Sequence, residues 1–199
     1  MFVRSENFSQ YIRSYPIISF IVSIHLVIFL LTIIPFLPHL WVYEQFAGVN
    51  LYILQGEWWR LITPIFIHFG FAHLLFNSIA LIIFAPPLEE FFGKWKFSVL
   101  YVISGITGNL ATLLLAPPTY SHVGASGSIF GLFGAYLAFI LIQKNTVTQE
   151  LKQVVVPIVL IGLILSVFQP NINLISHIFG LLGGFGLGYL LFSRIRSNS

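Results

Sequence analysis

The chain is organised around the stretch Gly124-Ala125-Ser126-Gly127-Ser128-Ile129-Phe130-Gly131, which opens an apolar run that continues to Ile142. A proline break at Pro117-Pro118 precedes it, so the stretch places a serine at the start of a helix. Unpaired N–H groups and the positive end of the dipole at a helix start suit a developing oxyanion. Small residues in such a run are equally typical of two membrane helices that pack closely without any chemistry. Both interpretations stay open on these residues alone.

The composition is that of an integral membrane protein. Apolar residues make up 57% of the 199 residues and charged residues only 8%, whereas a soluble domain has about 25% charged residues. The length leaves room for several spans of about 20 residues and predicts no soluble domain beside them. The chain contains neither Cys nor Asp. Disulfides, thiol nucleophiles and thiolate metal sites are therefore excluded.

Six apolar segments predict an all-α, polytopic membrane protein with six transmembrane helices. The predicted domain plan is a short segment at 1–15, a membrane domain at 16–193 and a tail at 194–199. A long connector at about 38–63 is rich in Trp and Tyr, which suits the membrane–water interface. The second segment begins between Pro64 and Phe71 and ends near the Pro86-Pro87 break. The other segments lie at about 16–37, 97–116, 126–142, 154–168 and 174–192, and a short charged loop is predicted at 89–96.

The basic residues predict the orientation. Six spans place both termini on one side, and only Arg60 of the nine Lys and Arg residues falls on the other side. This asymmetry predicts cytoplasmic termini in a multi-pass protein of the plasma membrane. The eight residues on the terminal side are Arg4, Arg13, Lys94, Lys96, Lys144, Lys152, Arg194 and Arg196.

Polar residues of three spans fall at a similar depth. The second, fourth and sixth spans all enter from outside, and their outer ends carry His73 with Asn77, Ser126, and His177. His73 and Asn77 are four residues apart and share a helix face. Polar groups inside a membrane are costly and usually mark a function.

These residues fit serine chemistry. A serine that attacks a carbonyl needs a base and donors for the oxyanion. His177 is the candidate base, and the N–H of Ser126 with the side chains of His73 and Asn77 are the candidate donors. No carboxylate is available as a third member, so we expect a Ser–His dyad in which packing orients the histidine. Glycines at 180, 184 and 188 form a groove that Gly127, Gly131 and Gly134 could face.

Four alternatives compete for the same residues: a metal site, a soluble-type nucleophile elbow, a transporter or channel, and a non-catalytic binder of membrane helices. The chain has no His-Glu-x-x-His motif and no carboxylate within a predicted span. We therefore predict neither a metal nor a cofactor, and no nucleic-acid partner. His25 is interpreted as a packing residue and His68 as an interfacial histidine. The loops around His122 and Asn171 are expected to admit water to the serine.

In their order along the chain, these residues resemble the rhomboid family of intramembrane serine proteases. Trp59-Arg60 resembles the family's Trp-Arg pair in the first outer loop. The run from His68 to Asn77 is similar to the second-helix pattern His-x4-His-x3-Asn. The nucleophile motif Gly-x-Ser-Gly is matched from Gly124, and His177 begins a match to His-x-x-Gly-x-x-x-Gly.

The resemblance implies a rhomboid-like six-helix bundle of the minimal bacterial form, with a Ser126–His177 dyad and oxyanion donors at Ser126, His73 and Asn77. It also implies the partners: the lipid bilayer, and transmembrane proteins whose single helix is cut at a small residue near the outer face. It gives no oligomeric state. Glu89 matches a family glutamate four residues before a glycine, but Ala85 stands where the family usually has Gly. The resemblance further assigns a site-shaping role to Gly124 and structural roles to Arg60, Glu89, Gly127, Gly131, Gly180 and Gly184.

Overall fold

The computed structural model describes residue 2 and residues 5–34, 39–143, 147–169 and 172–197. Three residues of the sequence predictions, Arg4, Lys144 and Asn171, lie outside these ranges. The predicted end of the first span near 37 lies outside them too, as do the side chains of Arg194 and Arg196.

The described residues are mostly helical, and the predicted all-α, polytopic class is confirmed. The helices are α1 Phe8–Ser14, α2 Pro16–Ile33, α3 His39–Phe46, α4 Asn50–Leu54, α5 Phe71–Phe84, α6 Pro86–Leu115, α7 Ser126–Ile142, α8 Gln149–Phe168 and α9 Leu174–Ser197. Helices α2, α6, α8 and α9 are long and apolar enough to cross a membrane, and the shorter apolar helices α5 and α7 complete the expected six.

The bundle is built around α7, whose side chains from Gly127 to Tyr136 are all buried. A helix that is apolar on every side is stable only when neighbours cover it completely. Helices α6 and α9 supply the largest part of that cover, and among the described elements the contact between α7 and α9 is the most extensive. The first residue of α7, Ser126, therefore lies at a fixed point at one end of the bundle. We call this end the site end.

The connector before α5 is folded. It contains α3, α4 and two 3₁₀ turns, Trp58–Leu61 and Thr63–Phe66. A two-stranded antiparallel ribbon, which the sequence did not predict, pairs β1 (Gly48–Val49) with β2 (Ser121–His122). The ribbon joins the connector to the loop that precedes α7, so the connector helps to position Ser126.

Arg60 holds the connector together. Its side chain is only 2% exposed, and it donates to the carbonyl oxygens of Ala47 at 2.7 Å and Glu44 at 2.6 Å. It also pairs with the carboxylate of Glu57, and its guanidinium lies 4.9 Å from the centre of the Tyr52 ring. A buried guanidinium is stable only when its donors are satisfied. Arg60, the one basic residue predicted on the side opposite the termini, therefore stabilises the folded connector.

The charged loop predicted at 89–96 is wrong, because this segment is helical. Helix α6 begins at Pro86, and proline favours the first turn of a helix. A single residue, Gly93, breaks the helical conformation with a φ of 73°, which glycine adopts without strain. Glu89 therefore lies inside a helix and is only 3% exposed.

Glu89 joins this helix to the start of α2. Its two carboxylate oxygens accept hydrogen bonds from the N–H groups of Ile17 at 2.9 Å and Ile18 at 3.0 Å. The first N–H groups of a helix have no partner within it and favour a negative charge. Glu89 thus acts as an N-terminal cap for α2, although it is about 70 residues away in sequence.

Candidate active site

Ser126 and His177 meet at the site end of the bundle. Ser126 is the first residue of α7 and His177 lies one turn into α9. The Oγ of Ser126 is 2.7 Å from the Nε2 of His177, which is a good hydrogen-bond distance. The imidazole is 6% exposed and stacks on the Phe130 ring, with centroids 4.3 Å apart and planes at 21°.

Glycines bring the two helices close enough for this contact. A Cβ on Gly180 would overlap the carbonyl oxygen of Gly127, and a Cβ on Gly184 would overlap that of Gly131. The backbones of α7 and α9 therefore touch directly, as in the close crossings that small residues permit in membranes. The distance between Ser126 and His177 follows from this backbone contact.

His73 and Asn77, on α5, lie beside the same site. A Cβ on Gly124 would lie 2.6 Å from two atoms of the His73 ring, and Gly124 has a φ of 127°. Glycine therefore leaves room for His73 next to the residues that lead into Ser126. The amide of Asn77 donates to the His73 carbonyl oxygen at 3.1 Å. An amide nitrogen carries two protons, so one remains for another acceptor.

Ser126, His177, His73 and Asn77 line a cavity of about 1320 Å³. Its size exceeds the range of about 300–1,000 Å³ that is common for small-molecule sites. The loop around His122 contributes to the wall, and the entry of water through it stays a prediction. Residues of the connector, α5, α7, α8 and α9 line it, among them Tyr43, His73, Asn77, His122, Ser126, Ser166 and His177.

The sequence model of the rhomboid domain matches residues 55–194, a range that includes Ser126, His177, His73 and Asn77.

This chain belongs to the rhomboid family.

The sequence similarity between this rhomboid and its relatives covers most of its length. The chain is 44% identical over 190 residues to the rhomboid YdcA of Bacillus subtilis (strain 168), covering 96% of each protein. It is 40% identical over 139 residues to the rhomboid protease GluP of the same organism, covering 70% of this chain and 27% of GluP. The RHOMBOID-like protein 5 of Arabidopsis thaliana is 39% identical over 142 residues, or 70% of this chain and 46% of that protein. The protein is thus an intramembrane serine protease, and rhomboid proteases act on transmembrane substrates.

The interpretation of His68 as an interfacial residue is wrong. His68 is fully buried between the second 3₁₀ turn and α5. Its ring lies 4.5 Å from that of His25 and 5.0 Å from that of His73. Its Nε2 is 3.5 Å from the N–H of Ala125, the residue before the candidate nucleophile. The chain at His68 is not helical, so helical periodicity does not locate its side chain.

His25 is a packing residue, as expected, but its neighbour comes from another part of the chain. Its ring contacts that of His68 with the planes tilted by 59°, rather than lying alone within α2. Among the described residues no three His or Glu side chains converge on a point where a metal ion could be held. The predicted lack of a metal requirement stays a prediction.

His122 stabilises the loop before α7. Its Nε2 is 3.1 Å from the Oδ1 of Asn109, and the amide of Asn109 donates to the Leu61 carbonyl at 2.9 Å. Because the amide nitrogen is used in this way, Oδ1 faces His122 and the imidazole is the donor. Burial lowers the pKa of His122 to about 4, so the ring is neutral at pH 7.

Sequence reasoning missed Ser166. This serine of α8 is 5% exposed, and its Oγ is 2.6 Å from the Nδ1 of His177. The expectation that packing orients His177 was therefore incomplete, because a hydrogen bond is present as well as the Phe130 ring. The available signal was a polar residue alone in an apolar span, but it did not indicate a partner.

Proposed function

We propose that this rhomboid cleaves transmembrane helices near the outer face of a bacterial plasma membrane, with Ser126 as nucleophile and His177 as general base. The observation that carries the proposal is the 2.7 Å contact between Ser126 Oγ and His177 Nε2, inside a cavity of about 1320 Å³. A serine hydroxyl is a weak nucleophile until a base removes its proton. The contact supplies that base.

The proposed reaction has two halves. Ser126 Oγ attacks the scissile carbonyl carbon while its proton passes to His177 Nε2. The tetrahedral intermediate then breaks its C–N bond, and His177 returns the proton to the leaving amine. In the second half, a water attacks the ester carbonyl carbon while its proton passes to His177 Nε2. The C–O bond to Ser126 then breaks, and His177 returns the proton to Ser126 Oγ as the new carboxyl terminus leaves.

Three groups are proposed as oxyanion donors. Ser126 begins α7, so its N–H has no partner within the helix and lies at the positive end of the dipole. The His73 ring lies beside Gly124, which is two residues before Ser126. The second proton of the Asn77 amide is available to an acceptor in the cavity. Donors fixed before the reaction stabilise the developing charge without reorganisation.

The proposed substrate is a helix that unwinds at the cleavage site. A helix in a membrane satisfies its own backbone groups, so its carbonyls are shielded until it opens. Glycine, serine and proline weaken a helix, and we therefore propose cleavage near small residues. The volume of the cavity supports an occupant of peptide size.

The proposed orientation, with both termini cytoplasmic, is tested separately. Reporter domains fused after Arg196 and inserted within residues 42–55 should report opposite sides of the membrane. Reporters on one side would contradict the arrangement of the spans, whatever the chemistry.

Cleavage in liposomes tests the chemistry. The purified wild type should convert a transmembrane substrate into two fragments, and mass spectrometry should locate the cut. Ser126→Ala and His177→Ala should lose activity by a factor of at least about 10³, as for other serine proteases. Ser128→Ala is the matched control, because Ser128 is 1% exposed and faces Gly105 of α6 rather than the cavity. Full activity of Ser126→Ala would end the proposal.

A further inference from the structure

Ser166 of α8 contacts two polar groups at once. Its Oγ lies 2.6 Å from the carbonyl oxygen of Gly162 in the preceding turn and 2.6 Å from the Nδ1 of His177 on α9. Both distances are short for hydrogen bonds. Ser166 is 5% exposed and His177 6% exposed, so this contact is shielded from bulk solvent.

The protons of this contact can be counted. A hydroxyl has one proton to donate and can also accept, whereas a carbonyl can only accept. The Ser166 proton is therefore directed to Gly162, since otherwise two acceptors would face each other at 2.6 Å. The lone pair that remains on Ser166 must accept a hydrogen bond from Nδ1–H of His177.

This count fixes the tautomer of the histidine. A neutral imidazole carries one ring proton, so a proton on Nδ1 leaves Nε2 with a free lone pair. That lone pair points at the Oγ of Ser126, 2.7 Å away. Only this tautomer can take the proton of Ser126, because the other one would present an N–H to the hydroxyl.

We propose that Ser166 is a positioning residue that holds His177 in the tautomer required of the base, and that it takes the place which a carboxylate has in a catalytic triad. The inference rests on the proposed function, since it takes His177 as the base. In the Ser-His-Asp triad an aspartate fixes the same nitrogen. Here a neutral hydroxyl does so, with its own proton committed to a backbone carbonyl.

The same face of α8 also holds the other side of the imidazole in place. Gly162 lies one turn before Ser166, and a Cβ there would lie 2.9 Å from the Cζ of Phe130. Because Gly162 has no side chain, there is room for the Phe130 ring, and this ring stacks on His177. One face of α8 therefore fixes the orientation of the imidazole plane, through Phe130, and the position of the ring proton, through Ser166.

The first test is kinetic. A neutral hydrogen bond contributes modestly, so Ser166→Ala should lower kcat about three- to tenfold. Ser166→Thr keeps the hydroxyl and should restore most of the rate. Val167→Ala is the control for altering α8, because Val167 is 61% exposed on the same helix. Wild-type kcat in Ser166→Ala, or equal losses in the Ala and Thr variants, would overturn the inference.

The second test reads the tautomer without using activity. Protonated and unprotonated ring nitrogens give distinct ¹⁵N resonances, and the chain has only six histidines. The signal of His177 is assigned by its absence in His177→Asn. The wild type in lipid bilayers should show Nδ1 protonated and Nε2 unprotonated, and Ser166→Ala should show a mixture. A proton on Nε2 in the wild type, or an unchanged tautomer in Ser166→Ala, would overturn the inference.

Failure of this inference can be told from failure of the proposed function. If Ser126→Ala still cleaves the substrate, the proposed function fails, whatever happens at Ser166. If Ser126→Ala is inactive while Ser166→Ala keeps the wild-type rate and tautomer, only the role of Ser166 fails. The ¹⁵N measurement also covers the case in which Ser166→Ala loses rate through poor folding, since a natively folded fraction still reports its tautomer.

Discussion

A single methyl group at Gly180 should separate the nucleophile from its base. Gly180 lies three residues after His177 and faces the backbone of Gly127, the residue after Ser126. A Cβ built on Gly180 overlaps the carbonyl oxygen of Gly127 and lies 2.8 Å from its carbonyl carbon. The obstacle is backbone, so no side-chain rotation can relieve it.

The size of the effect follows from these distances. Ordinary van der Waals contact begins at 3.4 Å, so in Gly180→Ala the two helices must move apart by about 1 Å near the site. Ser126 Oγ and His177 Nε2 are 2.7 Å apart. After this separation of the helices, the distance between the two atoms would be too long for a useful hydrogen bond. A displacement of about 1 Å costs up to about 10²-fold in rate. We therefore expect kcat to fall by about two orders of magnitude.

The chain offers a matched control on the same helix. A Cβ on Gly186 meets nothing within 4 Å, so Gly186→Ala should keep wild-type cleavage and gain up to about 1 kcal/mol from helix propensity. The assay is substrate cleavage in liposomes, with thermal unfolding in detergent to show that both variants are folded. If folded Gly180→Ala cleaves as fast as Gly186→Ala, backbone contact between α7 and α9 does not set the distance in the site.

Four further results are expected. Asn77→Ala should slow cleavage by about 10²–10³ if its amide is an oxyanion donor, and an unchanged kcat would leave Asn77 as packing only. Glu89→Gln should lower the free energy of unfolding by about 1 kcal/mol, measured by denaturant titration, because the charge that caps α2 is lost; equal stability would contradict the capping role. Strong chelators should not affect cleavage, and loss of activity with recovery on adding zinc would favour a metal site. Burial lowers the pKa of His122 from 6.5 to about 4, so its stabilising contribution is complete above pH 6.5 and is lost as the pH falls towards 4; His122→Gln should show a smaller fall of Tm over that range, and an equal fall would contradict it.

The number and approximate position of the long apolar helices could be predicted because a membrane imposes contiguous apolar helices, whereas the short helices α1, α3 and α4 were not predicted. The bounds of α7 and the start of α9 match the predicted spans. The charged start of α6 could not be predicted in this way, because Glu89 and Lys94 lower the local hydropathy and the segment is then predicted to be a loop. Their helical conformation depends on Pro86 and on the turn at Gly93.

The candidate site could be predicted to the level of which residues share an end of the bundle. Glycine spacing in α7 and α9 indicated which faces meet, and the direction of each span placed Ser126 and His177 at one depth. Contacts that depend on the rotation of a helix were beyond the sequence, since tilt and rotation are set by packing against neighbours. Ser166 is such a case. His68 is another, because its position depends on a non-helical turn.

His177 is held by two structural relationships of different kinds. Its distance from Ser126 depends on α7 and α9, whose glycines bring backbone against backbone. Its protonation depends on α8, through the single hydroxyl of Ser166. These properties should therefore be lost independently. Gly180→Ala should lengthen the contact with Ser126 while Nδ1 stays protonated, whereas Ser166→Ala should mix the tautomers while the helices keep their separation. If both variants always changed the distance and the tautomer together, the bundle would respond as one rigid unit. The assignment of the distance to α7 and α9 and of the tautomer to α8 would then be wrong.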